Sequence, residues 1–224
     1  MSQEISTPFG TRSKVVLPDS STVWLNSGSS LSYELSKWNE KRNVKLSGEA
    51  YFEVKTDTSH PFVVHTNSMN VCATGTAFNV EAYEGDSLVA VTMQEGKVGV
   101  AIKGSPHIAL APGFRMVYNK DKDNCRITEV DAYKWIAWKD GKLVFRDDSL
   151  GYVFRRLEQT FNAEIISHDK ELGRQIFRAT FESESLIEIM DLLKMAAPIE
   201  YKIDQRKTLG EEYEPMRIDV FAKK

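Results

Sequence analysis

Glu49 and Glu53 are the residues whose spacing could most readily support chemistry, because a pair of carboxylates can share acid–base catalysis. They lie in LSGEAYFEV (residues 46–54), where apolar and polar residues alternate as in a β-strand. Side chains on one face of a strand recur every 6.5–7 Å or so, which places the two carboxylates about 13 Å apart. Glycosidases need about 5–9.5 Å between theirs. We therefore predict a polar outer strand face, with Phe52 and Val54 packed inside, and no catalytic pair.

Other catalytic and metal-binding signatures are absent from the sequence. The chain has four histidines, His60, His65, His107 and His168. Their spacing matches neither HxH, HExxH nor a Cys/His ligand set. There is also no GxSxG turn, no GxxxxGK[ST] loop and no GxGxxG after a strand. We predict no enzyme activity, no catalytic residue, no metal site and no cofactor. The spacing of Cys72 and Cys125 leaves open whether they form a disulfide.

The bulk composition is that of a globular protein. The 224 residues are enough for two domains, and 42% are hydrophobic and 27% charged. The net charge of −3 does not indicate the basic surface that binding to nucleic acid requires. No apolar run approaches the roughly 20 residues of a membrane-spanning helix, and the N-terminus lacks signal-peptide features. These features fit either a cytosolic protein or a piece of a longer membrane-anchored chain.

Residues 1–130 read as short alternating strands separated by turn residues, which predicts an all-β domain. Four segments, LPDSSTVWL, LSGEAYFEV, ATGTAFNV and MQEGKVGV, repeat a loose pattern of a small residue before alternating apolar positions. Their anchors, Ser20, Gly48, Gly75 and Gly96, are spaced by 28, 27 and 21 residues (48−20, 75−48 and 96−75). This spacing is typical of a solenoid-like stack. The irregular lengths leave a β-sandwich open as the alternative.

Residues 131–224 change period and predict a small α+β domain, which makes the whole chain a two-domain α+β protein. Asp131 can cap a short helix that Trp135 and Trp138 anchor, near the hinge between the domains. A second helix follows Asp148 or Ser149, and a third begins with a capping box at Ser185-x-x-Glu188. The predicted order from Gly141 is β-α-β-β-α-β with one late strand, and both helices cover one face of a small sheet.

The order of these segments resembles the FecR family of sigma-factor regulators. The resemblance is carried by Gly-Glu-Ala-x-Phe-x-Val, Gly-Thr-x-Phe-x-Val and Glu-Gly-x-Val, followed by LAPGF. The family-motif residues, for which we predict a structural role, are Gly48, Glu49, Phe52, Gly75, Thr76, Phe78 and Gly96. The sequence departs from the family at Ser20-Ser21, where members usually have Gly-Ser, and this puts one turn geometry in question. Residues from Trp138 to Ile203 resemble the C-terminal domain of Bacteroidetes members, a module similar to the signalling domain of TonB-dependent transporters.

The resemblance implies a non-enzymatic signal relay. Family members carry a cytoplasmic anti-sigma segment, one transmembrane helix and a periplasmic part, and this chain is similar to the periplasmic part. The implied partners are the signalling domain of a TonB-dependent outer-membrane transporter and, through the missing cytoplasmic segment, an extracytoplasmic-function sigma factor. A membrane would be contacted only through the missing transmembrane helix.

Strand addition at an exposed sheet edge of the second domain is the expected mode of partner binding. The candidate partner-binding residues lie on three predicted strands: Lys142, Val144, Arg146, Phe177, Thr180, Phe181, Ile199 and Tyr201. Two alternatives remain from the residues alone. One is a carbohydrate-binding or adhesion module built on the tryptophans, and the other is a hydrolase that uses Glu49 or Glu53.

Overall fold

Alternating residues in the first part of the chain form one curled, thirteen-stranded sheet among the residues that the structure describes. The computed structural model describes residues 2–102, 105–204 and 215–223. The strands of this sheet are β1 Ser2–Thr7, β2 Ser13–Val16, β3 Thr22–Leu25, β4 Ser29–Glu34, β5 Arg42–Glu53, β6 Phe62–His65, β7 Met69–Ala73, β8 Ala77–Ala82, β9 Leu88–Glu95, β10 Val98–Ile102, β11 Ile108–Leu110, β12 Phe114–Asn119 and β13 Asn124–Glu129.

The long strand β5 joins the two halves of this sheet. Residues 42–47 pair with β4 and β6, and residues 48–53 pair with β3 and β8. The first half-sheet therefore has the order β11-β10-β7-β6-β5-β4-β1, and the second has the order β2-β3-β5-β8-β9-β12-β13. Apart from the parallel β5–β6 pair, neighbouring strands are antiparallel. The prediction of a solenoid-like stack is therefore wrong, because stacked parallel coils would require parallel pairing throughout.

One hydrophobic core lies between the two half-sheets. Phe62 of the first half-sheet is fully buried, as are Phe52 and Phe78 of the second. The Phe52 ring centroid lies 6.0 Å from that of Phe62 and 5.1 Å from that of Phe78. The three aromatic side chains thus tie the halves together through contacts that bury large apolar area.

The glycine spacing in the sequence marks left-handed backbone positions. Ser20, Gly48, Gly75 and Gly96 have φ of 67°, 102°, 143° and 81°. The three glycines stand where the chain passes from one half-sheet to the other. At Gly48 an added Cβ would lie 2.7 Å from the Ser29 Cα, so only glycine fits there. The spacing of the three glycines therefore reflects these crossings, whereas Ser20 makes a left-handed turn between β2 and β3.

The chain divides into two compact units, Met1–Lys139 and Asp140–Lys224. The predicted boundary at 130/131 lies nine residues before the boundary between these units, because the segment that contains the short helix packs on the first unit. In this segment, residues 131–139, the helix α1 is Tyr133–Ile136 and a 3-10 turn follows at Ala137–Asp140. Ile136 and Trp138 pack with Tyr51 on the outer face of the second half-sheet.

The second unit contains two helices and two small sheets among its described residues. Its elements are β14 Leu143–Ser149, α2 Leu150–Phe161, β15 Ala163–Ser167, β16 Ile176–Phe181, α3 Leu186–Ala196, β17 Ile199–Asp204 and β18 Met216–Ala222. β14 pairs with β16, and β15-β18-β17 form a separate three-stranded sheet. The predicted element order is confirmed, but the expectation of a single small sheet is wrong. The late strand β18 lies at the centre of the second sheet, with β15 parallel and β17 antiparallel to it.

The predicted ends of both long helices of the second unit are confirmed. The Ser149 hydroxyl accepts from the Tyr152 N–H, and Asn162 ends α2 in the left-handed conformation. Ser185 and Glu188 form the complete capping box of α3. These signals involve residues within four positions of each other, which is why they could be read locally.

Candidate functional site

Glu49 is fully buried on the outer face of the second half-sheet. One carboxylate oxygen accepts from the Asn26 side-chain amide at 2.7 Å, and the other accepts from that of Asn79 at 3.0 Å. The Glu49 backbone N–H also donates to the Ser29 hydroxyl at 2.9 Å. A buried carboxylate is costly unless such donors compensate it. Glu49 therefore ties strand β5 to the β3–β4 turn and to β8.

The residue 131–139 segment covers this carboxylate. The Trp138 indole N–H donates to the Asn79 carbonyl oxygen at 3.1 Å, so Asn79 bridges Trp138 and Glu49. Next to this bridge, the guanidinium carbon of Arg115 lies 3.6 Å from the Trp135 ring centroid. Arg115 also forms two hydrogen bonds with Glu81, at 2.9 and 3.0 Å. The prediction that the two tryptophans anchor the short helix is confirmed for the first unit.

Glu49 and Glu53 share the outer face of the strand as predicted, but the expectation that this face is open to solvent is wrong at Glu49. Glu53 is exposed, but Glu49 lies under the residue 131–139 segment. Strand alternation correctly separates Phe52 from Glu49, yet both faces of this half-sheet are covered. Enclosed among amide donors, the Glu49 carboxylate holds strands together.

The candidate partner-binding residues divide by burial. Those on β14 and β16 share one two-stranded sheet, in which Val144 lies opposite Thr180. Four of the eight are buried: Val144, Phe177, Phe181 and Ile199. Arg146 and Thr180 are exposed, and Lys142 forms a 2.7 Å ion pair with Glu182. The buried side chains shape the strands, so contact with a partner would use the exposed side chains and the strand backbone.

Tyr201 links the strand β17 to the helix α3. Its hydroxyl donates to the Asp191 carboxylate at 2.6 Å. Burial, together with this hydrogen bond to an anion, raises the pKa of the Tyr201 phenol to about 12. The side chain thus fixes β17 against the helix.

The two outer edges of the three-stranded sheet differ. At the β15 edge, the Ile165 N–H donates to the Glu158 carboxylate at 2.7 Å, and burial raises the pKa of that carboxyl. At the β17 edge, the Lys223 N–H donates to the Pro198 carbonyl, so this pair is a hydrogen-bonded one. Along an antiparallel strand, residues that bond the neighbouring strand alternate with residues that point away from it. The N–H groups of Tyr201 and Ile203 consequently point away from β18. One edge is capped by a side chain, and the other presents backbone donors.

The remaining candidates for chemistry stay apart. Within the described ranges, no group of three or more His, Cys, Asp or Glu side chains could hold a metal ion. Cys72 and Cys125 are both free thiols. No helix in the described part of the chain has the length and apolar character to cross a membrane.

Comparison with known proteins identifies the family. Residues 3–99 match the family described as FecR protein, and residues 142–209 match the one described as FecR, C-terminal. The chain belongs to the FecR family. Two crystal structures, each of a candidate anti-sigma factor from Parabacteroides distasonis ATCC 8503, are similar to it with a TM-score of 0.85 and 29% identity. The similarity covers 100% of this chain in one case and 99% in the other, and 100% of each crystallised chain. No curated protein matches the chain.

The two FecR matches fall one on each unit. The first contains Glu49 and Asn79, whereas Trp138 and Arg115 lie between the matched ranges. The FecR motif residues occupy structural positions: Phe52 and Phe78 pack in the core, and Gly48, Gly75 and Gly96 make the crossings. The Thr76 hydroxyl is buried without a hydrogen-bond partner among the described residues. The sequence contains no local signal that would have joined Glu49 to Trp138, because 89 residues separate them (138−49).

Proposed function

We propose that this FecR-family chain is the periplasmic part of a transmembrane anti-sigma factor. It would relay a signal from a TonB-dependent outer-membrane transporter to an extracytoplasmic-function sigma factor. The observation that carries the proposal is the pairing of the two FecR matches with the two units. The full-length similarity to a candidate anti-sigma factor supports it. Such a relay requires a surface whose affinity differs between two states of a partner, and no catalytic residue.

The β17 edge is the part of the second unit that we propose as the transporter contact. Its outward N–H groups at Tyr201 and Ile203 offer main-chain donors to an added strand. On the opposite edge of that sheet, Glu158 already occupies the Ile165 N–H. The exposed Arg146 and Thr180 remain candidates for side-chain contacts on the other sheet.

Calorimetry of the full chain with the signalling domains of TonB-dependent transporters from the same organism tests the relay. Ile203→Pro removes one outward N–H, and Ile203→Ala is the matched control that loses the same side chain but keeps the donor. Proline is tolerated on edge strands when its nitrogen faces outward. We expect Ile203→Ala to bind within about threefold of the parent and Ile203→Pro to bind about tenfold more weakly, since one main-chain bond at a protein interface contributes about 1.4 kcal/mol.

Two outcomes separate the parts of this proposal. If the parent chain does not bind the signalling domain at all, the relay itself is contradicted. If it binds but the proline and alanine variants are equal, the β17 edge is not the contact.

The carbohydrate-binding alternative gains no support from the tryptophans. Trp38 and Trp138 are buried. Lys14 and Lys139 approach the Trp24 ring, and Arg115 covers Trp135. None of these four rings is an open platform on which a sugar could stack.

A further inference from the structure

The outer face of the first half-sheet carries a groove that the FecR motifs do not explain. Two adjoining cavities, of about 360 and 440 Å³, share Ser32, Lys45 and His65 as lining residues. We propose that this basic groove binds an extended acidic peptide segment of a partner protein. It lies on the first unit, so the proposal does not depend on the transporter contact at β17.

Strand alternation builds the groove. Along β5 the inward residues Val44 and Leu46 are buried in the core. Asn43, Lys45 and Ser47 therefore face outward, and all three line the cavities. The same alternation that fills the core thus exposes a polar row on the opposite face.

The groove crosses several strands in register. Ser32 of β4 lies opposite Lys45, Lys45 opposite His65 of β6, and His65 opposite Asn70 of β7. At about 4.8 Å per strand, the four spacings from β1 to β7 give the groove a length of about 19 Å. This length fits an extended peptide of about six residues at 3.3 Å each.

The charge of the groove is positive although the whole chain has a net charge of −3. Lys37, Lys41 and Lys45 line it, against Glu34 as the one carboxylate among the described lining residues and the exposed Glu4 opposite Ser32 at the β1 end. Glu34 is paired with Lys37 at 2.6 Å. Lys41 and Lys45 form no ion pair within the described part of the chain, so both charges are available to an acidic ligand.

The lining chemistry favours a peptide over other anions. Between the lysines stand hydroxyl, amide and imidazole groups, which can bond main-chain N–H and C=O groups. The one aromatic lining residue, Tyr33, packs edge-on against Trp38 at 5.0 Å, so its ring is not a stacking platform for a base or sugar.

Fluorescence anisotropy with a labelled hexapeptide of alternating glutamate and serine tests the groove. The full chain should bind this probe, and binding should weaken as salt rises. The double variant Lys41→Glu and Lys45→Glu should weaken binding by about tenfold or more, because it reverses the charge of two side chains that line the groove. The matched control, Lys120→Glu with Lys122→Glu in the β12–β13 turn, makes the same change in net charge and should stay within about twofold.

A second measurement distinguishes binding in the groove from general electrostatic attraction to the protein surface. Hydrogen exchange with the bound peptide should slow amides of β4 to β7 and leave β12 and β13 unchanged. The proposal is overturned if the probe does not bind, or if the two double variants lose affinity equally. It is also overturned if heparin binds in a manner that depends on Lys41 and Lys45 while the peptide does not, since the groove would then recognise an anionic polysaccharide.

Discussion

Replacing Asn79 by leucine should destabilise the first unit strongly, because one amide serves two buried groups. Leucine keeps the branching and the number of side-chain heavy atoms of asparagine but removes the donor to Glu49, at 3.0 Å, and the acceptor for the Trp138 indole, at 3.1 Å. Loss of a hydrogen bond to a charged group costs about 1.5–3 kcal/mol, and an unpaired buried N–H costs about 1–3 kcal/mol. The two losses together give about 4 kcal/mol, which is a large share of the roughly 5–15 kcal/mol of a typical domain.

Urea unfolding followed by tryptophan fluorescence and circular dichroism measures this loss. Asn124→Leu is the matched control, since Asn124 is exposed on β13, and it should change stability by less than about 0.5 kcal/mol. The loss for Asn79→Leu should appear in the transition of the first unit, because Glu49, Asn79 and Trp138 all lie in it.

A double-mutant cycle makes the reasoning sharper. Trp138→Phe removes the indole N–H, so it should cost about 1–2 kcal/mol less in the Asn79→Leu background than in the parent. Additive effects of the two substitutions would show that the Asn79–Trp138 hydrogen bond does not contribute. A loss for Asn79→Leu no greater than that for Asn124→Leu would refute the account of the buried network as a whole.

Three further predictions concern the turns and the second unit. Ser20→Gly should stabilise the chain by about 0.5 kcal/mol in thermal unfolding, because it relieves a left-handed serine but adds freedom to the unfolded chain; a destabilised variant would contradict this. Gly48→Ala should cost at least about 3 kcal/mol in urea, owing to its φ of 102° and the approach to Ser29, and near-parent stability would show that the crossing relaxes. For Tyr201, the folded pKa of about 12 lies above the ordinary value of 10.0, so its stabilising contribution is complete below pH 10 and is lost as the pH rises through about 12. Ultraviolet titration of phenolate should show that Tyr201→Phe removes a tyrosine that titrates late, and removal of one that titrates near pH 10 would contradict the bond to Asp191.

The local features of the second unit could be predicted from sequence because their causes are local. Ser149 and Asn162 bound α2, and the Ser185–Glu188 box begins α3, through bonds that span at most four residues. The pairing of strands into two small sheets was not predictable in the same way. The strand β18 inserts between β15 and β17, and no short-range pattern specifies which strand takes the centre.

Burial of the candidate site residues depended on distant segments. Alternation placed Phe52 in the core, but it also predicted an exposed Glu49, because a sequence pattern does not show what covers the second face of a sheet. The strand pattern also predicts Phe177 and Phe181 on a partner surface, but the structure buries both in the core of their own unit.

From its residues alone, the chain determined its two-unit α+β character, its helix ends, its glycine turn positions and its resemblance to the FecR family. Each of these follows from backbone preferences or from motifs that lie within a few residues. Only the tertiary structure decided that the Ser20, Gly48, Gly75 and Gly96 spacing serves one curled sheet, and that Glu49 meets Asn79 and Trp138 beneath the residue 131–139 segment. Those contacts join residues 30 and 59 positions apart (79−49 and 138−79), and packing brings such residues together without any local signal.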